Sequence, residues 1–296
     1  MKLKWRPVLT GAESGLRIHL CGVRGSTPAP GIDFVRYGGQ TSCVALAHDT
    51  DDAPRLVLDA GGGLQAVSRL LGDVPFTGTI LLSHLHWDHT FGLPFFAAAD
   101  LPGSCVAVVL PEQENGADAV SVLAGIMSPP YFPIGPTDLR GKWTFASIAP
   151  GVHQIEGFEV LAREIPHKGG RTFGYRISDG RAAFTYMPDH CPTALGAGQD
   201  GFGEYHPAAI ELVRDVDLLV HDSQLFPEEL AAEADFGHAV AEYAIELSKL
   251  VGARSVVLFH HRHDRTDEAL DGLALRLASD GSPKVSVAAE GLVFEL

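Results

Sequence analysis

Three histidines and an aspartate fall within six residues, His84-Leu85-His86-Trp87-Asp88-His89, directly after the apolar run TILLS at 79–83. A buried strand that ends in so many ionisable groups constrains the fold, because they need a partner gathered at the strand's end. Near neutral pH a divalent cation is the partner that uses several neutral imidazoles and a carboxylate together. Residues two apart at a strand end share a face, so His84 and His86 point together, while Asp88 and His89 follow in the turn and aim at an adjacent point. Two neighbouring cation sites follow from this spacing. The alternative, a solvated histidine-rich loop, fits poorly with the end of a buried strand.

Short apolar runs recur at 16–23, 41–48, 55–61, 104–111, 157–166, 172–178, 182–188 and 216–223, bounded by Gly, Pro or acidic turn residues, and read as strands. Helices are fewer. One is expected at 63–72, after the Gly61-Gly62-Gly63 turn. A second is expected at 238–252, where Val240, Tyr243, Ala244, Leu247, Leu250 and Val251 keep helical spacing and Gly252 supplies the stop. Strand 254–261, helix 266–279 and one last strand over 284–296 complete the chain. Many strands with few helices predict stacked sheets with outer helices. The Pro- and aromatic-rich stretch 127–141 is either a loop over a site or an inert surface loop.

The 296 residues carry 22 Lys+Arg against 37 Asp+Glu, a formal charge of −15, which disfavours a protein that coats long nucleic acid. At 46% hydrophobic and 20% charged residues the chain can bury a substantial core. No apolar run approaches the roughly 18 to 20 residues of a membrane-spanning helix, and the first fifteen residues lack an apolar signal core, so a cytoplasmic location is expected. The cysteines, Cys21, Cys43, Cys105 and Cys191, form no C-x-x-C pair and read as reduced, mostly buried thiols.

HLHWDH matches H-x-H-x-D-H and resembles the metallo-β-lactamase fold, a superfamily of mostly dizinc hydrolases; LVLDAGGGL at 56–64 is similar to its Asp-containing turn. The resemblance implies an α/β, four-layer αββα sandwich, with residues 16–296 as one domain after an N-terminal extension at 1–15. It also implies two divalent ions, zinc first and manganese or iron as alternatives. One ion would be held by His84, His86 and His167, the other by Asp88, His89 and His260, with Asp189 bridging. His190 beside Asp189 and His261 beside His260 remain the alternatives at those two positions.

Within the superfamily, GVRGSTPAP (22–30), RYGGQTSC (36–43), MSPPYFP (127–133) and AAEGLVFEL (288–296) resemble the phosphodiesterase branch that includes ribonuclease Z and the cyclic phosphate diesterases. That implies a hydroxide held between two metals about 3.5 to 4 Å apart, attacking a small or cyclic phosphodiester, cyclic nucleotides included. Asp88 would orient the hydroxide and His238 would contact the phosphate or protonate the leaving oxygen, with Asp222 behind His238 and Asp59 accepting from a ligand histidine or from the nearby turn. An ordinary helix-terminal His238 and a turn-capping Asp59 are the plainer readings. The chain lacks the long basic, glycine-rich arm of tRNA-processing relatives, so a small anionic substrate is expected rather than a long nucleic acid. No membrane partner is expected, and a homodimer is left open. Lactone, carboxyl-ester or β-lactam hydrolysis and RNA endonucleolysis are the competing activities.

Overall fold

The computed structural model describes residues 15–278 and 281–296, so the expected extension at 1–15 lies outside them except for Gly15. The chain first lays down β1 (Leu16–Gly22), β2 (Cys43–His48), β3 (Leu56–Leu58), β4 (Thr77–Leu81), β5 (Cys105–Pro111) and β6 (Lys142–Ile148) as one sheet. It then builds a second from β7 (Gly151–Ile155), β8 (Phe158–Ile165), β9 (Thr172–Ser178), β10 (Ala183–Met187), β11 (Leu218–Asp222), β12 (Ser255–Phe259) and β13 (Lys284–Val287). A final β14 (Val293–Glu295) returns to pair with β1. The orders are β14-β1-β2-β3-β4-β5-β6 and β13-β12-β11-β10-β9-β8-β7.

Each sheet is antiparallel in one half and parallel in the other. Strands β3 to β6 run parallel in the first sheet and β10 to β13 in the second. The period-two alternation of the strands drives the stacking: Phe158, Val160 and Ala162 of β8 face inward against Leu16, Ile18 and Leu20 of β1, in a core that spans both sheets.

Helices cover the outer faces. In α1 (Leu64–Leu71), Leu64, Val67 and Leu71 recur on one side and join Phe76, Ile80 and Leu82 against the first sheet. Three further helices, α2 (Trp87–Thr90), α3 (Ala119–Ala124) and α4 (Pro207–Val213), are short. They are followed by α5 (Pro227–Glu233), α6 (Ala241–Val251) and α7 (Asp267–Leu277). Leucines, valines and alanines of α4, α6 and α7 pack the outer face of the second sheet. The four layers are thus helix, sheet, sheet, helix. Among the described residues no helix is long and apolar enough to cross a membrane.

Two expectations change. The last strand is divided, because a turn containing Gly291 at φ +83° passes the chain from β13 in one sheet to β14 in the other. Helix α6 begins at Ala241, because Val240 is held extended by a bridge to Leu225; His238 therefore precedes the helix.

The turn after β3 packs backbone to backbone against the histidine segment: Ala60 N–H donates to the His89 carbonyl at 2.7 Å and Gly92 N–H to the Ala60 carbonyl at 2.8 Å. A Cβ on Gly61 would lie 2.2 Å from the Asp88 carbonyl oxygen and 2.4 Å from Thr41 Oγ1. Gly61→Ala should therefore destabilise the protein by about 2 kcal/mol, read as a lower calorimetric unfolding midpoint; an unchanged midpoint would contradict this packing.

Candidate metal centre

Parallel strands end on the same side of a sheet, and here both parallel halves empty into one cleft. Asp59 follows β3, His84 follows β4, Asp189 follows β10, Asp222 closes β11 and His260 follows β12, while His167 comes from the end of β8. Asp59 and His260 both adopt φ +59°, the left-handed region that side-chain-bearing residues seldom enter. At each the chain turns sharply as its strand stops. Space is made by Gly25, where a Cβ would lie 2.4 Å from the His260 ring.

Four residues, His84, His86, His167 and Asp189, bring one donor atom each within 4.8 Å of one another, and Asp88, His89 and His260 form an adjacent group. His86 Nδ1 faces His167 Nε2 at 3.3 Å, and His89 Nε2 faces His260 Nε2 at the same distance. Asp88 Oδ2 lies 3.2 Å from Nε2 of both His89 and His260. His84 Nε2 and Asp189 Oδ1 are buried without a hydrogen-bond partner. Converging nitrogens and orphaned buried donors of this kind are what a multivalent cation satisfies.

The surrounding bonds orient the rings. Asp59 is fully buried and accepts from Ser83 N–H at 2.7 Å, Ser83 Oγ–H at 2.8 Å, His89 Nδ1–H at 2.7 Å and Tyr186 O–H at 2.9 Å. With its proton on Asp59, Ser83 Oγ accepts from His84 Nδ1–H at 3.0 Å. His167 Nδ1–H donates to the Gly237 carbonyl at 2.7 Å. Each of these three rings therefore turns Nε2 inward. The side-chain amide of Gln224 faces His260 Nδ1 at 3.1 Å, whereas His261 turns away and donates from Nε2 to the Ala288 carbonyl at 2.9 Å.

Electrostatics leave most donors in their coordinating forms. Burial lowers the pKa of His84, His86 and His167, keeping them neutral. Burial alone would raise the carboxyls of Asp88 and Asp189, but His89 and His260 outweigh it and hold both well below the usual range. His89 goes the other way: Asp189, Asp88 and Asp59 overcome its burial and hold it well above the ordinary value. The carboxylates draw positive charge to this point, which is the field a cation would enter.

His238 stands beside both groups, its Nδ1 2.9 Å from Asp222 Oδ2 and 4.0 Å from Asp189 Oδ2. With Asp189 and His260 it also makes a third grouping of donor atoms. Burial pulls its pKa down, but Asp222 first, then Asp189 and Asp88, bring it up to about 8. Asp222 is fixed in turn by the N–H groups of His190 at 3.0 Å and Gln224 at 2.9 Å. His190 itself points to His221, Nδ1 to Nε2 at 3.0 Å, rather than into the cleft.

Residues 54–261 match a family model described as the beta-lactamase superfamily domain. The chain belongs to that family. This β-lactamase-superfamily protein is a metal-dependent hydrolase. It is 26% identical to a ribonuclease Z of Geobacillus kaustophilus over 61% of its own length and 69% of the relative's. Its fold matches the metallo-β-lactamase fold protein YhfI of Bacillus subtilis at TM-score 0.69 and 19% identity, covering 96% of this chain and all of that one. It also matches a diphosphatase of the PhnP family at TM-score 0.67 and 16% identity, covering 95% and 98%.

Ser83, Tyr186, Gln224 and the Gly237 carbonyl were not among the sequence candidates. Ser83 adjoins the histidine cluster and could have been read as part of it; the other three carry no local signal. Asp59→Asn should place an amide N–H against His89 Nδ1–H, lowering cation affinity about 10- to 100-fold, as is usual when a ligand's supporting carboxylate is lost. Metal analysis after dialysis against graded chelator reads this, and undiminished retention would contradict the orienting role.

Proposed function

We propose that this hydrolase cleaves a small phosphodiester, cyclic nucleotides included, using a pair of divalent cations. His84, His86 and His167 would hold one, Asp88, His89 and His260 the other, and Asp189 would bridge them. The seating of Asp189 carries this reading. Its Oδ2 lies 3.6 and 3.4 Å from Nε2 of His84 and His167, while Oδ1 lies 3.1 and 3.2 Å from Nε2 of His89 and His260. One carboxylate thus offers a separate oxygen to each group. Neutral imidazoles with carboxylates suit zinc, and the same donors accept manganese or iron.

Such ions, when bound, polarise a phosphoryl oxygen and bring the pKa of a water toward neutrality. Asp88, fixed by the Ser26 N–H on Oδ2 at 2.7 Å, orients the attacking water. His238, anchored through Nδ1 to Asp222, carries a proton on Nε2 and delivers it to the leaving oxygen as the phosphorus–oxygen bond breaks. A linear diester yields a phosphate monoester and a free hydroxyl compound, and a cyclic one opens to a single monoester that keeps the freed hydroxyl. The curated relatives are ribonucleases, which supports the phosphodiester class, and the charge of −15 favours a small substrate over a long polyanion.

The names of those relatives also favour a second reading, endonucleolytic cleavage of RNA. RNA cleavage with steeply salt-dependent binding would select it. For the leading reading, bis-p-nitrophenyl phosphate should be turned over in preference to a lactone or a β-lactam; the reverse order would displace it. Asp189→Ala should lose bound metal and activity together. His238→Ala should retain metal but lower kcat by about 10²- to 10⁴-fold, most on esters with poor leaving groups. Loss of metal in that variant would instead make His238 a ligand.

A further inference from the structure

A cavity of about 820 Å³ opens beside the donor groups, with Asp88 and Ser26 in its wall. Its volume lies within the ordinary range for a small-molecule site. We infer that it receives an apolar ring substituent attached to the substrate's phosphate, an assignment that rests on the phosphodiesterase reading above.

The walls are contributed by three stretches: Trp87–Phe95, which also carries Asp88 and His89; the segment 123–132; and the turn at 26–28. Trp87, Phe95, Ile126, Met127, Tyr131 and Phe132 make most of the lining surface aromatic or aliphatic. Trp87 is 75% exposed, Tyr131 85% and Phe95 53%, whereas Phe76, Phe96, Phe158 and Phe173 of the same chain are almost completely buried. Leaving several large rings uncovered at one place is unfavourable unless something apolar covers them. Phe95 and Phe132 already meet edge to face, ring centroids 5.9 Å apart, so this wall stands formed before any ligand arrives.

Charge narrows the occupant. Asp88 is the one carboxylate in the described lining, and no Lys, Arg or His joins it. A second phosphate of a polynucleotide would find no cation there. Polar side chains are the minority of the lining: Thr90 Oγ1 already donates to the His86 carbonyl at 3.0 Å and Ser26 Oγ accepts from Gln224 at 3.4 Å, while the Thr27 hydroxyl, the Trp87 indole N–H and the Tyr131 phenol stand among rings and aliphatic side chains. Set in a mostly apolar wall, these few groups leave part of a nucleobase's edge nitrogens and oxygens unpaired, a penalty an apolar ring does not incur. Continuity with the reaction centre through Asp88 places the phosphate at the donor groups and the ring in the cavity. The expected class is therefore an aryl or other apolar-ring phosphodiester.

Zinc-reconstituted full-length protein titrated calorimetrically with 2-naphthyl phosphate, methyl phosphate and adenosine 5′-monophosphate tests this without relying on turnover. Naphthyl phosphate should bind at least about tenfold more tightly than methyl phosphate, the scale expected from burying a ring. Tyr131→Ala and Phe132→Ala, each checked for an unchanged circular dichroism spectrum, should shrink that ratio. Naphthyl and methyl phosphate of equal affinity, undetectable naphthyl binding, or tighter binding of the nucleotide would overturn the assignment in the native protein alone. Ring selectivity without bis-p-nitrophenyl phosphate turnover would discard the reaction and keep the pocket; turnover without ring selectivity would do the opposite.

Discussion

Asp189 joins the two halves of the molecule electrostatically. It stands at the end of β10, fully buried, with one oxygen toward imidazoles on each side. A carboxylate removed from water at this depth is tolerated only where positive charge or several donors face it. The parallel half of each sheet supplies those partners: His84 and His89 after β4 of the first, His260 after β12 of the second. Stacking the sheets face to face is therefore what brings the donors within reach, and the geometry of the cleft follows from strand direction more than from any loop.

Asp59 carries a parallel burden. One carboxylate receives four hydrogen bonds, and through Ser83 it also sets which nitrogen of His84 faces the cleft. Its left-handed backbone is a local expense that this network offsets. The same backbone conformation recurs at His260, so two of the sharpest turns in the cleft are taken by residues whose side chains must point somewhere that an ordinary strand end would not reach.

How much of this was readable from the chain depends on sequence distance. His84, His86, Asp88 and His89 are contiguous, and strand and turn periodicity alone set them side by side. His167, Asp189 and His260 come from strands about eighty or more residues away, and only a family resemblance pointed to them. Ser83, Tyr186 and Gln224 were missed because their roles arise from packing between elements, which no single-segment pattern records. His238 was placed at a helix start by the apolar spacing of 240–251; a lone β-bridge, Leu225 to Val240, leaves no trace in such spacing and moves it into the extended segment ahead of α6. The undivided last strand failed similarly, since apolar residues on either side of Gly291 look alike whether they serve one sheet or two.

The aromatic cavity and the donor groups share the stretch around Asp88, but the cavity's far wall, 123–132, contributes no donor. Residues 123–132 can drift in size and shape without disturbing an imidazole. Such a division lets selection retune what is admitted while the reactive apparatus stays as it is, so chains sharing this architecture are free to diverge in taste long before they diverge in chemistry.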